Sequence, residues 1–411
     1  MRKPAFFILA FLISAFIVLL TAEGCSTLFY LIKDRKYLPV TERLAMESNT
    51  FINDLAGSND CRYVDTLFPH PYLAHVHHKN QPCPYQFTNN LGLIGREYPL
   101  ENDLTKFSIL LTGGSTAAQL GQIVQDHPFY LEEELNKHFR PPNGGNSFLV
   151  LNGGDGAWKQ PQQAILFLLY GDAFDAVVTL DGFNEHFLLM NGTARMELPS
   201  NNFTIVNPMA TGSYRQLAAT WLYNQIVLEV QKHWITSHSF LCLLFIDASR
   251  SYLRGQAHSI KANQLTTIQS IFSLPSHFNQ KQRRDFNMNQ YRKYIRRINT
   301  IAKAEDIKSA FFIQPCPALS KTLTSEEKEV VGEISYGPEY QKMTNELLTL
   351  QNDGIAIFSL LQIFENVTET VYADPIHFRQ DSSGESLGYR TMAKALAEKL
   401  GEAWGLERIN N

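Results

Sequence analysis

From residue 107 onward, short apolar runs alternate with segments whose apolar residues recur at helical spacing, and this alternation limits the fold most strongly. The predicted strands are Phe107–Leu111, Ser147–Asn152, Ala176–Leu180, Ala310–Ile313 and Ile355–Leu360. The predicted helices are Gln125–His138, Gln160–Tyr170, a stripe of apolar residues from Tyr291 to Ala302, and Tyr389–Trp404. Strands that alternate with helices build a parallel sheet covered on both faces. We therefore predict a flavodoxin-like three-layer α/β sandwich.

The N-terminus carries a long uncharged segment. Arg2 and Lys3 precede Ala5–Ala22, an uncharged run of 18 residues that ends at Glu23. This length is close to the minimum that spans a bilayer, and the preceding positive charges favour a cytoplasmic N-terminus. We predict a signal anchor over residues 1–29, with a cleaved signal peptide as the alternative. The rest of the chain is then expected outside the cytoplasm, on the periplasmic or extracellular face of the inner membrane.

The spacing of the predicted strands divides the remainder of the chain. About 130 residues separate the strand Ala176–Leu180 from the strand Ala310–Ile313, which is too many for one crossover. Helices are predicted there at Tyr214–Trp234 and Phe240–Leu253. We expect a stalk over 30–67, the first part of the α/β domain over 68–190, a mainly helical insertion over 191–304, and the second part of the domain over 305–411.

Three predicted strands end in turns that carry polar or glycine residues. Ser115 follows two glycines after the first strand, Gly156 lies in the turn Asn152-Gly-Gly-Asp-Gly-Ala157 after the second, and Asn184 follows the third. Functional groups of doubly wound sheets gather at the carboxyl ends of the strands. A serine at a sharp turn exposes its hydroxyl, whereas glycine turns and asparagine amides offer N–H donors to an oxyanion. Each turn taken alone is also consistent with ordinary capping.

The segment Asp374-Pro-Ile-His377 lies just before the last predicted helix. A carboxylate three residues before a histidine can orient the imidazole and stabilise its protonated form while the histidine accepts a proton from a serine. The order of the segments therefore indicates a nucleophile, two turns with oxyanion donors, and an Asp-His pair.

Together these segments resemble the four marker blocks of the SGNH (GDSL-like) hydrolase superfamily. Thr112–Leu120 is similar to the Ser block, Leu151–Gln163 to the Gly block, Leu180–Glu185 to the Asn block and Ala373–Phe378 to the DxxH block. The segment from His70 to Glu97 also resembles the lead-in of bacterial membrane-anchored members. The similarity covers roughly residues 68–185 and 309–400 and leaves the insertion unmatched.

The resemblance implies a serine esterase or O-acyl, especially O-acetyl, hydrolase or transferase that acts on a cell-envelope ester. It assigns Ser115, Asp374 and His377 to a catalytic triad and the Ser115 N–H, Gly156 and Asn184 to the oxyanion hole. The Gly block departs from the pattern, because the expected glycine falls at Ala157 beside Gly156. The implied partners are an ester-bearing carbohydrate or lipid substrate and, through the N-terminal helix, a membrane. No cofactor and no metal ion are expected.

Other functions remain open from the residues alone. A non-catalytic scaffold with the same fold would bind an envelope glycan or a protein partner, and the altered Gly block favours it. His75 and His77 share one face of an extended segment, a spacing that also occurs in metal sites, although no carboxylate stands nearby in sequence. The net charge of −4 does not indicate a nucleic-acid partner.

Overall fold

The computed structural model describes residues 3–44, 67–77, 88–99, 103–120, 129–199, 222–223, 226–227, 229–249, 252, 271–381 and 384–409. The predicted stalk lies largely outside these residues, as does most of the predicted helix Tyr214–Trp234. The described chain falls into two compact units. One comprises residues 66–206 and 269–411, and the other comprises residues 1–65 and 207–268.

Among the described residues, the larger unit contains seven strands. They are β1 Leu67–His70, β2 Ala74–His77, β3 Lys106–Gly113, β4 Ser147–Gly154, β5 Ala176–Asp181, β6 Lys308–Ile313 and β7 Ile357–Ser359. Strands β1 and β2 form an antiparallel hairpin. The other five form a parallel sheet in the order β4-β3-β5-β6-β7. This is the flavodoxin-like strand order.

The described helices, in chain order, include the following twelve. They are α1 Lys3–Asp34, α2 Ser115–Leu120, α3 Tyr130–His138, α4 Gln162–Tyr170, α5 Phe183–Asn191, α6 Trp234–Ser237, α7 Phe240–Ser249, α8 Gln280–Ala304, α9 Pro317–Ser320, α10 Ser325–Val330, α11 Gly337–Leu348 and α12 Leu387–Trp404. Two separate apolar cores flank the sheet. One contains residues of α3 and α12, and the other contains residues of α4, α8 and α11. The prediction of a three-layer α/β fold with a parallel sheet is therefore confirmed.

The strands form where the sequence is apolar on both faces. Every residue of β5 is buried, and β3 is buried from Phe107 to its end. Continuous apolar runs of this kind are typical of parallel strands with helices on both sides. The helix α8 buries Tyr291, Ile295, Ile298 and Ala302, which form the stripe predicted from the sequence.

The structure differs from the sequence analysis in two places. Residues 67–77 form the β1–β2 hairpin, which is not among the strands predicted from the sequence. The sequence of β2 alternates apolar and polar residues, which is typical of a strand with one exposed face, yet all four residues are buried, including two histidines. In addition, residues 269–304 belong to the unit that contains the sheet, because the apolar face of α8 packs into its core. The insertion outside this unit comprises residues 207–268.

Candidate active site

Ser115 begins helix α2 directly after strand β3. The two preceding glycines allow a close approach of the backbone: a Cβ on Gly113 would clash with Leu180 O, and one on Gly114 would lie 2.5 Å from Asn184 Nδ2. Ser115 itself is partly exposed. Its N–H belongs to the first turn of α2, where backbone donors have no partner within the helix. The turn therefore presents both the hydroxyl and a free backbone donor at the carboxyl end of the sheet.

Three predicted site residues form one hydrogen-bonded chain. Ser115 Oγ lies 2.7 Å from His377 Nε2, and His377 Nδ1 lies 2.7 Å from Asp374 Oδ2. Ser115 and His377 are 262 positions apart in sequence, so only the tertiary fold brings them together. The serine hydroxyl can pass its proton to the imidazole, and the carboxylate can stabilise the imidazolium that results.

The side chain of Asp374 is held in place by hydrogen bonds from the backbone of its own loop. Asp374 Oδ1 accepts hydrogen bonds from the N–H groups of Ile376 and His377, each at 2.7 Å. Partial burial opposes the charge on Asp374, but the hydrogen bonds from the His377 ring and from these two N–H groups outweigh it and lower the carboxyl pKa to about 2. Asp374 is consequently charged at neutral pH.

The glycine-rich turn after β4 offers one backbone donor toward the surface. Gly156 N–H donates to Asp155 Oδ1 at 2.6 Å, so it is already used within the turn. Ala157 N–H has no hydrogen-bond partner among the described residues, and Ala157 is partly exposed. Ala157 adopts φ +60°, in the left-handed region that favours glycine. Of the two neighbours considered from the sequence, Ala157 is therefore the better placed donor, and Gly156 contributes to the turn instead.

Asn184, the remaining predicted site residue, lies at the start of α5 beside Gly114. One N–H of its side-chain amide donates to Trp158 O at 2.7 Å, which fixes the orientation of the amide. The second N–H of the amide stays available to a ligand. The structure thus brings the Asn184 amide against the residue that precedes Ser115.

Two buried histidines support the turn that contains Ala157, and the sequence analysis did not assign them this position. His77 Nε2 lies 3.1 Å from Asp155 Oδ1, and His75 Nε2 lies 3.2 Å from Gly156 O. Burial, which outweighs the opposing effect of Asp155, lowers the pKa of His75, so its ring is neutral and can donate from Nε2 to this carbonyl. Asp155 is therefore the carboxylate next to these histidines, although it lies 78 positions from His77 in sequence. Across the described residues, no group of three His, Cys, Asp or Glu side chains is arranged to hold a metal ion.

Glu185 links the Gly and Asn blocks. Its two carboxylate oxygens accept hydrogen bonds from Gln160 N–H and Gly182 N–H, both at 3.0 Å. Burial raises the pKa of the Glu185 carboxyl, whereas the hydrogen bonds from these N–H groups and the nearby Lys159 act to lower it. The acidic residue after Asn184 thus has a structural position between two loops of the site.

Comparisons with known proteins give only distant structural similarity. Neither a protein-family model nor a curated protein sequence matches the chain. A Bacteroides fragilis protein assigned as an acylhydrolase is similar at a TM-score of 0.36 and 11% identity, over 74% of this chain and 91% of that one. The acetylxylan esterase Axe2 of Geobacillus stearothermophilus is similar at a TM-score of 0.33 and 10% identity, over 75% of this chain and 97% of that one. In its strand order as well as in the order of its four sequence blocks, the chain resembles the SGNH hydrolases.

Proposed function

We propose that this protein is a serine ester hydrolase or acyltransferase that works through an acyl-enzyme on Ser115. The observation that carries the proposal is the hydrogen-bonded chain from Ser115 Oγ through His377 to Asp374, with 2.7 Å at both links. A serine within hydrogen-bond reach of a histidine whose other ring nitrogen meets a carboxylate is the arrangement that activates a serine nucleophile.

In the acylation step, Ser115 Oγ attacks the ester carbonyl carbon and its proton moves to His377 Nε2. Asp374 stabilises the imidazolium through Nδ1 without taking the proton itself. The tetrahedral intermediate then collapses, the C–O bond to the alcohol breaks, and His377 returns the proton to the leaving oxygen. In the second step, water or a sugar hydroxyl attacks the acyl-Ser115 ester and gives its proton to His377. The bond between the acyl carbon and Ser115 Oγ then breaks, and His377 returns the proton to Oγ.

Three donors would bind the oxyanion of both tetrahedral intermediates. They are the N–H of Ser115, the N–H of Ala157 and the free N–H of the Asn184 amide. Two of these donors are held in place before substrate binds, since Asn184 is fixed by Trp158 O and the turn of Ala157 is fixed by Asp155, His75 and His77. Donors that need no rearrangement during the reaction stabilise developing charge most effectively.

The proposed location is a membrane surface outside the cytoplasm. Helix α1 extends from Lys3 to Asp34. Its most apolar part has a mean hydropathy of 2.5 and is not buried against the rest of the protein. A helix of this length and composition is long enough to cross a bilayer. The expected substrate is accordingly an O-acyl, especially O-acetyl, ester of a cell-envelope carbohydrate or lipid.

The test is ester hydrolysis by the purified full-length chain in detergent, with p-nitrophenyl acetate as the first substrate. Wild type should hydrolyse it and Ser115→Ala should not, while the circular dichroism spectra of the two proteins coincide. A transferase would additionally move the acetyl group to an added oligosaccharide. The competing proposal, a non-catalytic scaffold with an intact fold, predicts equal and negligible hydrolysis by both proteins.

A further inference from the structure

The smaller unit joins the N-terminal helix to the insertion. Its apolar core combines residues of both segments, namely Tyr30, Val40, Leu44, Tyr223, Val227, Phe240, Leu243 and Ile246. The insertion therefore packs on the C-terminal part of α1, the part that follows the long apolar run.

A carboxylate at the end of the apolar run holds the start of helix α7. Glu23 accepts hydrogen bonds from Phe240 N–H at 2.6 Å, from Leu241 N–H at 3.0 Å and from the Ser239 hydroxyl at 2.6 Å. An acidic side chain at these positions satisfies the free donors of a helix N-terminus and interacts favourably with its dipole. Glu23 thus has a defined structural role within α1.

A second contact fixes the direction of α7. Tyr30 OH donates to Asp247 Oδ2 at 2.6 Å, and Lys33 Nζ lies 3.7 Å from the same oxygen. Seven positions separate Glu23 from Tyr30 on α1, and seven separate Phe240 from Asp247 on α7. At the helical rise of 1.5 Å per residue, each interval is about 10 Å long. The two helices therefore run side by side in the same direction, and α7 begins at the end nearer to the apolar run.

Large apolar side chains are exposed on α6 and α7. Trp234 is 76% exposed, Ile235 is 75% exposed and Phe245 is 62% exposed. Trp234 and Ile235 lie in α6, which leads directly into the end of α7 that Glu23 binds. The apolar run before Glu23 is about 27 Å long, close to the hydrocarbon thickness of a bilayer, so Glu23 falls at its boundary. Tryptophan is enriched at this boundary, where its ring contacts both lipid tails and headgroups.

We propose that the insertion is a second membrane contact, in which Trp234 and Ile235 of α6 insert into the lipid at the outer boundary of the bilayer. This inference rests on the proposed membrane span of α1 and is independent of the ester chemistry. Lipid is the expected occupant because both α1 and α6 expose large apolar side chains, and the hydrogen bonds of Glu23 to the start of α7 place this end of the insertion at the level of the headgroups.

Quenching of tryptophan emission by brominated lipid tests the proposal in the full-length chain reconstituted into phosphatidylcholine vesicles. Trp221 is replaced by phenylalanine in every sample, which leaves three tryptophans. Trp158 is fully buried and Trp404 is 9% exposed, and both lie in the unit that contains the sheet. Lipid brominated near the headgroup should quench the emission, Trp234→Phe should remove most of that quenching, and the matched control Trp404→Phe should leave it unchanged.

Carbonate extraction of the same membranes separates the two proposals. Retention of the chain together with unchanged quenching in Trp234→Phe would overturn the membrane contact of α6 while leaving the span of α1 intact. A dimer in detergent that shields Trp234 from lipid would also overturn the membrane contact of α6. Release of the chain by carbonate would overturn the span itself and, with it, this inference. Ester hydrolysis should be the same in Trp234→Phe and its parent.

Discussion

The Asn184 amide gives the sharpest test of the proposed oxyanion hole. Asn184→Ala removes one donor to the oxyanion and also the hydrogen bond to Trp158 O at 2.7 Å. Loss of one such donor raises the reaction barrier by about 3–4 kcal/mol, so kcat should fall about 10²- to 10³-fold. Loss of the bond to Trp158 should cost only about 1 kcal/mol of folding stability, because it is a single neutral hydrogen bond. Activity should therefore be lost while the protein stays folded.

The assay is kcat and KM for p-nitrophenyl acetate, together with the thermal unfolding midpoint. Asn287→Ala is the matched control, because Asn287 Nδ2 also donates to a backbone carbonyl, Ala194 O at 2.9 Å, but lies in α8. It should lose at least as much stability as Asn184→Ala and keep its kcat. KM should change little in Asn184→Ala, because the lost interaction forms only as charge develops on the oxygen. If kcat of Asn184→Ala falls less than about tenfold, or if Asn287→Ala loses as much activity, Asn184 does not bind the oxyanion.

Four further predictions concern the surroundings of Ser115. Asp374→Asn should lower kcat by about 10³- to 10⁴-fold, measured at neutral pH, because the imidazole loses its charged partner. Since the folded pKa of Asp374 is about 2 against an ordinary value of 3.8, its charge stabilises the fold above pH 4 and this stabilisation is lost as the pH falls toward 2. After allowance for the 44% exposure of the side chain, it amounts to about 1 kcal/mol, which thermal unfolding of wild type and Asp374→Ala at pH 7 and pH 2 should detect. Ala157→Gly should retain kcat and change the free energy of unfolding by no more than about 1 kcal/mol, because glycine accepts φ +60° and keeps the N–H. A large loss of kcat would contradict a role of Ala157 that is limited to its backbone N–H. Gly114→Ala should lower kcat with little change in the expression of folded protein, because its Cβ would push on Asn184 Nδ2; unchanged kinetics would contradict the contact.

Much of the fold was predictable because it depends on local apolar patterns. The runs at Phe107–Leu111 and Ala176–Leu180 are apolar on both faces, so they indicate central parallel strands before any tertiary contact is known. The short spacing within Asp374–His377 likewise allowed the Asp-His pair to be predicted. The proximity of Ser115 to this pair followed only from the resemblance and from the rule that strand ends gather at one edge of the sheet.

The contacts that hold the turn containing Ala157 were not predictable, because they join segments that are distant in sequence. His77 meets Asp155 across 78 positions, and His75 meets Gly156 across 81. The sequence shows two histidines at period-two spacing and an aspartate in a glycine-rich turn. It does not show that they pair, because the pairing requires the β1–β2 hairpin to pack against the end of strand β4. The assignment of α8 to one of the two units depends on such contacts as well, because α8 has the apolar stripe of any amphipathic helix and its sequence does not reveal which unit it packs against.

Covalent labelling by a fluorophosphonate probe, with the modified residue identified by peptide mass spectrometry, tests the central claim most directly. Only a serine activated by a neighbouring base reacts readily with such a probe. The control is Ser325→Ala, since Ser325 also begins a short helix, α10, and is exposed. We predict a single adduct on Ser115 in wild type and in Ser325→Ala, with none in Ser115→Ala and little in His377→Ala. Equal labelling of wild type and Ser115→Ala, or an adduct on another serine, would contradict the assignment of Ser115 as the nucleophile.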